Sequence, residues 1–182
     1  MRVIAGKYKG RTLFSPKDQS VRPTTDRIKE NVFNLIQGRI VGAAFLDLFG
    51  GSGAMSVEAL SRGAVKAVTV DASRESAELI KKNFQKVGVG REAQLLELGY
   101  DVALRRLAGQ KFDLIYLDPP YKAEYYEDIL QSILANGVLA ENGLILFEHA
   151  TERPFPPLPE GLSLFDSRKY GSVTLELISI KN

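Results

Sequence analysis

Residues 44–71 read AFLDLFGGSGAMSVEALSRGAVKAVTVD and decide the fold of this chain. The stretch begins with an apolar run at 44–49, passes through three glycines into a helical pattern near 53–62, and ends with a second apolar run at 67–71. Short apolar runs joined by a helical segment are typical of a β-α-β unit, whose two strands lie parallel. The glycines let the backbone turn tightly and approach a ligand closely.

The same alternation continues along the chain. Further apolar runs occur at 93–98, 112–118 and 144–149, and helical patterns lie near 74–87, 101–108 and 124–136. This order predicts an α/β fold with a mostly parallel sheet and helices on both of its faces. After a proline-rich loop at 151–161, two strand-like runs flank Tyr170 and Gly171 and predict an antiparallel hairpin at the sheet edge.

The composition excludes several classes of chemistry. The chain has 182 residues, enough for one domain or one domain with a small appendage. It has no cysteine and a single histidine, His149, so disulfides, thiolate metal sites and thiol nucleophiles are excluded, and we expect no metal site. No apolar run approaches the length of a membrane span, and Met1 is not followed by a secretory signal. We therefore expect a cytoplasmic protein with no membrane partner.

Positive charge is concentrated at the start of the chain. Residues 1–40 contain nine basic and three acidic residues, a net charge of +6, whereas the other 142 residues carry −4. Within residues 1–14, apolar and polar residues alternate, which predicts a short β-hairpin that presents Lys7, Lys9 and Arg11, followed by a loop and a helix. The asymmetry predicts a basic N-terminal extension that contacts a polyanion. The alternative is a solvated basic surface with no partner.

The glycine loop and the strand after it have the pattern of a cofactor site. The predicted cofactor-binding residues here are Asp47, Phe49, Gly50, Gly51, Gly53 and Asp71. Asp71 ends the second strand, where an acidic side chain can accept hydrogen bonds from both hydroxyls of a ribose. The loop lacks the third glycine of a dinucleotide site and the lysine of a Walker loop. Asp47 before the glycines suits a ligand with a positively charged amino group, such as S-adenosylmethionine; the alternative is an ordinary tight turn.

A second motif, Asp118-Pro119-Pro120-Tyr121, follows the apolar run at 112–118 and supplies the candidate catalytic residues. It fits methylation of an exocyclic amine, whose lone pair is delocalised into the base ring. Asp118 and the Pro119 carbonyl can each accept one N–H and so direct the lone pair at the methyl group. The two prolines stiffen the loop and remove backbone donors, and Tyr121 offers a face for base stacking. The alternative is a polar turn that ends a strand.

These motifs resemble those of class I S-adenosylmethionine-dependent N-methyltransferases. More narrowly, the chain is similar to the bacterial small-subunit (16S) ribosomal RNA guanine-N2 methyltransferase family. The similar segments are MRVIAGKYKGR (1–11), RPTTDRIKENVFN (22–34), DLFGGSGAMSVEALSRGA (47–64), FDLIYLDPPY (112–121) and KYGSVTLELI (169–178).

The resemblance implies a Rossmann-like, seven-stranded sheet of order 3-2-1-4-5-7-6. Residues 41–182 would form the methyltransferase domain, and residues 1–40 would form an extension that packs on it, contacts RNA and covers the cofactor site. By the same resemblance, Arg22 and Thr24 lie near the cofactor. The implied activity is methyl transfer to N2 of one guanine in 16S rRNA, within the small ribosomal subunit or an assembly intermediate. We expect the enzyme to be a monomer.

Several assignments stay open at this stage. Where the family meets the cofactor adenine with an Asp-Ala pair, this chain offers Asp101, Tyr100 or Gly99. His149 either approaches the substrate or is a hydrogen-bonded structural residue. Tyr125 and Tyr126 either stack on a base or pack the following helix. The competing functions are a DNA adenine or cytosine N-methyltransferase, and a non-catalytic RNA-binding module on the same fold.

Overall fold

The computed structural model describes residues 1–16, 26–120 and 125–181. Its helices are α1 (Asp26–Leu35), α2 (Ala54–Ser61), α3 (Arg74–Val87), α4 (Tyr100–Arg106) and α5 (Tyr126–Ala135). Its strands are β1 (Ala44–Asp47), β2 (Lys66–Asp71), β3 (Ala93–Glu97), β4 (Phe112–Leu117), β5 (Leu139–Ala150), β6 (Leu162–Tyr170) and β7 (Val173–Ile180). Across these described ranges, no helix is long and apolar enough to cross a membrane.

The seven strands form one sheet of order β3-β2-β1-β4-β5-β7-β6. Strands β1 to β5 pair in parallel, whereas β7 runs antiparallel to both β5 and β6. The predicted strand order and the C-terminal hairpin are therefore confirmed. Strand order reverses between β1 and β4, and in such sheets ligands bind beyond the carboxyl ends of the strands at this point.

Helices cover both faces of the sheet, as predicted. On one face, Ala103 of α4 and Ile129 of α5 pack against Ile115 of β4. On the other, Phe33 of α1 packs against β1, and Tyr116 of β4 lies in the same cluster. Neighbouring residues of a strand point to opposite faces. Ile115 therefore points to the α4 and α5 side, and Tyr116 points to the α1 side.

The predicted N-terminal hairpin is present but short: an antiparallel β-bridge joins Arg2 and Thr12, and three backbone hydrogen bonds link residues 1–3 to residues 10–13. Its apolar side chains, including Val3 and Tyr8, are buried against α2 and the end of α3. The segment is therefore held both by its own backbone hydrogen bonds and by the body of the protein. A Cβ on Gly6 would lie 1.7 Å from the Ser61 carbonyl oxygen, so the close approach of the two backbones requires glycine here.

Glu58 of α2 attaches the N-terminal segment to the body. Its fully buried carboxylate accepts hydrogen bonds from the backbone N–H groups of Ile4 at 2.9 Å and Ala5 at 3.1 Å. It also lies 3.5 Å from the buried Lys29 ammonium of α1 and 2.8 Å from the Arg62 guanidinium. A buried carboxylate with this many partners fixes the N-terminal segment and α1 to α2.

Candidate active site

A cavity of about 710 Å³ opens at the carboxyl ends of β1, β2 and β4. It brings together most of the residues that the sequence singled out, although these come from separate loops. The predicted residues that line it are Asp47, Phe49, Gly50, Gly51, Asp71, Asp118, Pro119 and Pro120. Arg22, Thr24 and Tyr121 lie outside the described residues, so their assignments stay predictions.

Glycine is required at three positions of the loop between β1 and α2. Gly51 and Gly53 have φ angles of 55° and 77°, in the left-handed region that other residues rarely adopt. A Cβ on Gly50 would lie 2.3 Å from Thr69 Cγ2 of the neighbouring strand. Together, these constraints shape the floor of the cavity and let a ligand approach the backbone.

Asp71 is held in place at the end of β2. Its Oδ2 accepts a hydrogen bond from the Gly51 N–H at 2.8 Å, and its Oδ1 accepts one from the Ser73 N–H at 2.8 Å. A carboxylate oxygen can accept two hydrogen bonds, so each oxygen can still receive a ligand hydroxyl. A fixed pair of acceptors of this kind suits the two hydroxyls of a ribose.

Asp47, at the end of β1, is a buried carboxylate that faces the cavity. Only 1% of the residue is exposed, and its Oδ1 accepts a long hydrogen bond from the Phe49 N–H at 3.4 Å. Among the described residues, its Oδ2 has no hydrogen-bond partner. Burial, with a smaller contribution from nearby Asp71, raises the pKa of Asp47 to about 7. A cationic amine would supply the missing partner, so this atom fits the amino group of S-adenosylmethionine.

Aromatic rings line one side of the cavity. The Phe49 and Tyr100 rings lie 5.9 Å apart, and Tyr100 stacks on Tyr125 at 6.0 Å. These rings can enclose a flat adenine. Asp101, the neighbour of Tyr100 at the start of α4, does not line the cavity; its exposed carboxylate pairs with Arg105 at 3.1 Å. Among the three candidates for the adenine contact, the structure places Tyr100 and Gly99 in the cavity and Asp101 outside it.

Two buried side chains that sequence reasoning missed lie beside the catalytic motif. The Tyr116 hydroxyl donates a hydrogen bond to Glu148 Oε2 at 2.5 Å, and both residues line the cavity with Asp118. Burial, followed by the carboxylates of Glu148 and Asp118, raises the pKa of Tyr116 well above its ordinary value, so Tyr116 stays protonated. The signal for Glu148 was a charged residue inside the apolar run at 144–149.

The predicted substrate-binding residues Lys7, Lys9 and Arg11 are all exposed. The Lys7 ammonium and the Arg11 guanidinium lie 4.6 Å and 5.1 Å from the centre of the Tyr8 ring. Lys7 also lies 3.4 Å from Glu92. The Arg11 guanidinium donates a hydrogen bond to the Val87 carbonyl, so Lys7 and Arg11 have partners within the protein although all three side chains are exposed.

Phe14 is a second feature that the sequence did not reveal. It is 48% exposed, and the Lys86 ammonium lies 4.1 Å from the centre of its ring. The buried Asn83 side chain accepts from the Phe14 N–H at 2.7 Å and donates to the Phe14 carbonyl at 3.0 Å. Asn83 also donates to the Ser52 carbonyl at 2.8 Å, so one side chain joins the N-terminal segment to the glycine loop.

His149 has a structural role in this arrangement. Its Nε2 lies 3.1 Å from Glu176 Oε1, its ring packs on Phe155, and it does not line the cavity. Tyr126 is likewise buried in the core, whereas Tyr125 faces the cavity. The described part of the chain contains no group of three or more His, Cys, Asp or Glu side chains that could hold a metal ion.

Comparison with known proteins finds relatives that match nearly the whole chain. The chain is 37% identical to YlbH of Bacillus subtilis, which is provisionally named an rRNA methyltransferase, over 94% of each chain. It is 32% identical to the ribosomal RNA small subunit methyltransferase D of Escherichia coli, over 97% of this chain and 88% of that one.

Solved structures show the same architecture. The Escherichia coli protein yhhF, provisionally named a methyltransferase, superposes with a TM-score of 0.89 at 31% identity and covers 100% of this chain and 98% of its own. The methyltransferase PaMTH1 of Podospora anserina, solved with S-adenosylhomocysteine bound, has a TM-score of 0.71 at 18% identity, over 90% and 84% of the two chains. At 18% identity, the similarity to PaMTH1 shows a shared fold alone. The predicted class I methyltransferase fold is therefore confirmed.

A family described as conserved hypothetical protein 95 matches residues 1–179, almost the whole chain. The chain therefore belongs to this family, and to the family of the ribosomal RNA small subunit methyltransferase D proteins.

Proposed function

We propose that this protein transfers a methyl group from S-adenosylmethionine to the exocyclic N2 amine of a guanine in 16S ribosomal RNA. The observation that carries the proposal is the single cavity that joins the glycine loop, Asp47 and Asp71 to Asp118 and Pro119. One part of this cavity has acceptors for an adenosine and an amino group, and the other has acceptors for an amine.

In the part of the cavity that would hold the cofactor, each residue has a proposed role. Asp71 would accept the ribose hydroxyls, Asp47 would pair with the amino group, and the Tyr100 ring would pack on the adenine. When bound, S-adenosylmethionine supplies a methyl group on a positively charged sulfur. The carboxylates of Asp47, Asp118 and Glu148 line the same cavity and give it a negative potential that favours this cation.

The catalytic half works by positioning. The Asp118 carboxylate and the Pro119 carbonyl would hold the two hydrogens of the amine, which orients the nitrogen lone pair toward the methyl group. Asp118 is half-buried and Pro119 is buried, so water competes little for these acceptors. The proton becomes acidic only after methylation, so no strong base is needed before attack. Orientation and electrostatics are then the main contributions to the rate.

The RNA substrate is supported by the relatives and by charge. The Escherichia coli relative is named for the small ribosomal subunit, and it matches nearly the whole of this chain. The basic N-terminal segment exposes Lys7, Lys9 and Arg11, which can contact the phosphates of a folded RNA.

The test of this proposal is transfer of labelled methyl groups to small subunits from a bacterial strain that lacks the enzyme. We expect the label to appear in 16S rRNA as N2-methylguanosine after digestion to nucleosides. Large subunits and duplex DNA serve as control substrates and should stay unlabelled. Label in N6-methyladenosine, or in DNA alone, would reject the proposed function.

Neutralising the basic N-terminal segment should weaken binding to the subunit. In the triple variant Lys7→Gln, Lys9→Gln and Arg11→Gln, we expect the slope of log affinity against log salt to fall by about 2–3, because each phosphate contact contributes roughly 0.7–0.9. Cofactor affinity should not change, since these side chains lie outside the cavity.

A matched control removes three charges from outside the N-terminal segment. Lys66 begins β2, Lys111 precedes β4 and Lys181 follows β7, so all three lie at the amino ends of the parallel strands, the end at which Lys7 pairs with Glu92. Changing them to Gln should leave the salt slope close to that of the wild type. Equal slopes in the two triple variants would show that the N-terminal segment is a solvated surface.

A further inference from the structure

We propose that Glu148 selects guanine as the target base by accepting its N1–H, next to the amine that Asp118 holds. This inference rests on the proposed function, and it assigns base selection to a residue outside the Asp118-Pro119-Pro120-Tyr121 motif. The Asp118 and Pro119 acceptors can hold the amine of guanine, adenine or cytosine alike, so amine capture alone does not choose among these bases.

The sheet places Glu148 beside the catalytic motif. Strands β4 and β5 pair in parallel, with Tyr116 opposite Leu146 and Leu117 opposite Phe147. Asp118 comes directly after β4, and Glu148 is the β5 residue after Phe147. Glu148 lies two residues beyond Leu146 on the same strand, so its side chain points to the α1 side, as Leu146 does. The carboxylates of Glu148 and Asp118 both act on the Tyr116 hydroxyl, and both residues line the cavity. A base whose amine reaches Asp118 therefore presents its adjoining edge to Glu148.

The Glu148 carboxylate is fixed and can still accept a further hydrogen bond. Only 5% of the residue is exposed, and the Tyr116 hydroxyl donates to its Oε2 at 2.5 Å. A carboxylate has about four acceptor positions on its two oxygens, so the Tyr116 hydroxyl and a base N–H can be accepted together. Tyr116 stays a donor because its raised pKa keeps the hydroxyl protonated. The pair thus presents an acceptor of fixed orientation to the base.

The Glu148 carboxylate can distinguish guanine from adenine and cytosine because the Watson–Crick edges of these bases differ. On the Watson–Crick edge of guanine, the N1–H donor lies next to the N2 amine, so two neighbouring carboxylates match two neighbouring donors. Adenine and cytosine have a ring-nitrogen acceptor next to their amine. Against either base, the Glu148 carboxylate would face a lone pair, and a buried acceptor without a donor is disfavoured.

The experiment compares two bases that share the N2 amine. Small subunits are reconstituted with guanine or 2-aminopurine at the target position, since 2-aminopurine keeps the amine but has an acceptor at N1. We expect the wild type to prefer guanine in kcat/KM by at least about tenfold, the range that one hydrogen bond to a charged group supplies. In Glu148→Gln, the amide N–H can donate to N1 of 2-aminopurine, so the preference for guanine should fall by about tenfold or more.

Two further variants distinguish selection from structure. Glu176→Gln changes another buried carboxylate, one that pairs with His149 outside the cavity, and should keep the wild-type base preference. Tyr116→Phe removes the hydroxyl that orients Glu148 and should lower activity on guanine more than on 2-aminopurine.

The possible outcomes distinguish a failure of this inference from a failure of the proposed function. If Glu148→Gln loses activity equally on both bases, or keeps the wild-type preference, Glu148 is a structural residue and the inference is overturned, while the proposed function stands. If the wild type forms no N2-methylguanosine, the proposed function fails and the inference fails with it. Retained cofactor binding in Glu148→Gln shows that the variant is folded.

Discussion

Replacing Asp118 with Ala is expected to lower the rate of methyl transfer by about 10²–10³-fold, the range seen when one preorganised polar contact to a transition state is removed. The carboxylate would hold one hydrogen of the amine and stabilise the positive charge that develops on nitrogen. Alanine leaves that charge without its nearest counter-charge and frees the amine to rotate. Binding of S-adenosylhomocysteine, which lacks the positively charged sulfur, should be nearly unchanged, because the Asp47, Asp71 and Tyr100 contacts remain.

Single-turnover transfer to small subunits measures the chemical step, and calorimetry with S-adenosylhomocysteine measures cofactor binding. Asp118→Asn is the matched variant, since its amide oxygen can still accept the N–H while the negative charge is lost. We expect its rate to lie between the wild type and Asp118→Ala. If Asp118→Ala lost cofactor affinity to the same degree as rate, Asp118 would be a cofactor ligand and the division of the cavity would be wrong.

The sequence predicts the architecture because each signal is local. Every apolar run from 44–49 to 144–149 became a strand, and right-handed crossovers restrict how parallel strands can be ordered. Gly50, Gly51 and Gly53 could be assigned to a tight loop because positive φ angles and close approach favour glycine. Asp71 followed from its position at the end of the next strand.

Residues whose roles depend on register or distant contacts could not be predicted in this way. Glu148 reaches the cavity because β5 pairs beside β4, and pairing offsets are not encoded in either strand alone. The Asn83 contacts to Phe14 join residues 69 positions apart. The choice among Asp101, Tyr100 and Gly99 also depended on the fold, since one step along a helix turns a side chain by about 100° and takes Asp101 away from the cavity that Tyr100 lines.

The basic N-terminal segment shows how distant contacts complete a local pattern. Its alternation predicted a hairpin, and the structure has a short one, with a bridge between Arg2 and Thr12 and three backbone hydrogen bonds between residues 1–3 and 10–13. An isolated two-stranded hairpin is only marginally stable in water. Here the backbone N–H groups of Ile4 and Ala5 also bond to the buried Glu58 carboxylate. This anchor could not be predicted, because it joins residues 54 and 53 positions apart.

Cofactor affinity is expected to rise about fivefold to tenfold between pH 6 and pH 7.5, because the ionised form of Asp47 would bind the cationic amino group. With a pKa of about 7 in the ligand-free protein, Asp47 is mostly protonated at pH 6 and mostly ionised at pH 7.5. The upper limit of pH 7.5 keeps the α-amino group of the ligand largely protonated. Calorimetry with S-adenosylhomocysteine across this interval should show tighter binding as pH rises, with a proton released on binding at pH 6 and a smaller release at pH 7.5.

Asp47→Asn separates this charge from the other carboxylates of the cavity. We expect the variant to bind S-adenosylhomocysteine about 10–100-fold more weakly at pH 7.5, since a hydrogen bond to a charged group contributes roughly 1.5–3 kcal/mol. The rise in affinity with pH should also disappear. A variant that kept the wild-type dependence would show that another group, such as Asp118 or Glu148, titrates on binding.

The raised pKa of Asp47 also determines how the stability of the ligand-free protein changes with pH. The pKa of Asp47 is raised from 3.8 in its ordinary state to about 7 on folding, so the folded chain holds a proton that the unfolded chain has lost between these values. The stability that this carboxyl contributes is full below about pH 4 and is lost as pH rises toward 7. In urea unfolding, Asp47→Asn should therefore gain stability relative to the wild type as pH increases from 4 to 7. A residue placed for a cationic ligand is expected to destabilise the ligand-free protein when ionised and to stabilise the complex with the ligand. If the stability of Asp47→Asn followed the same pH profile as that of the wild type, this role of Asp47 would be contradicted.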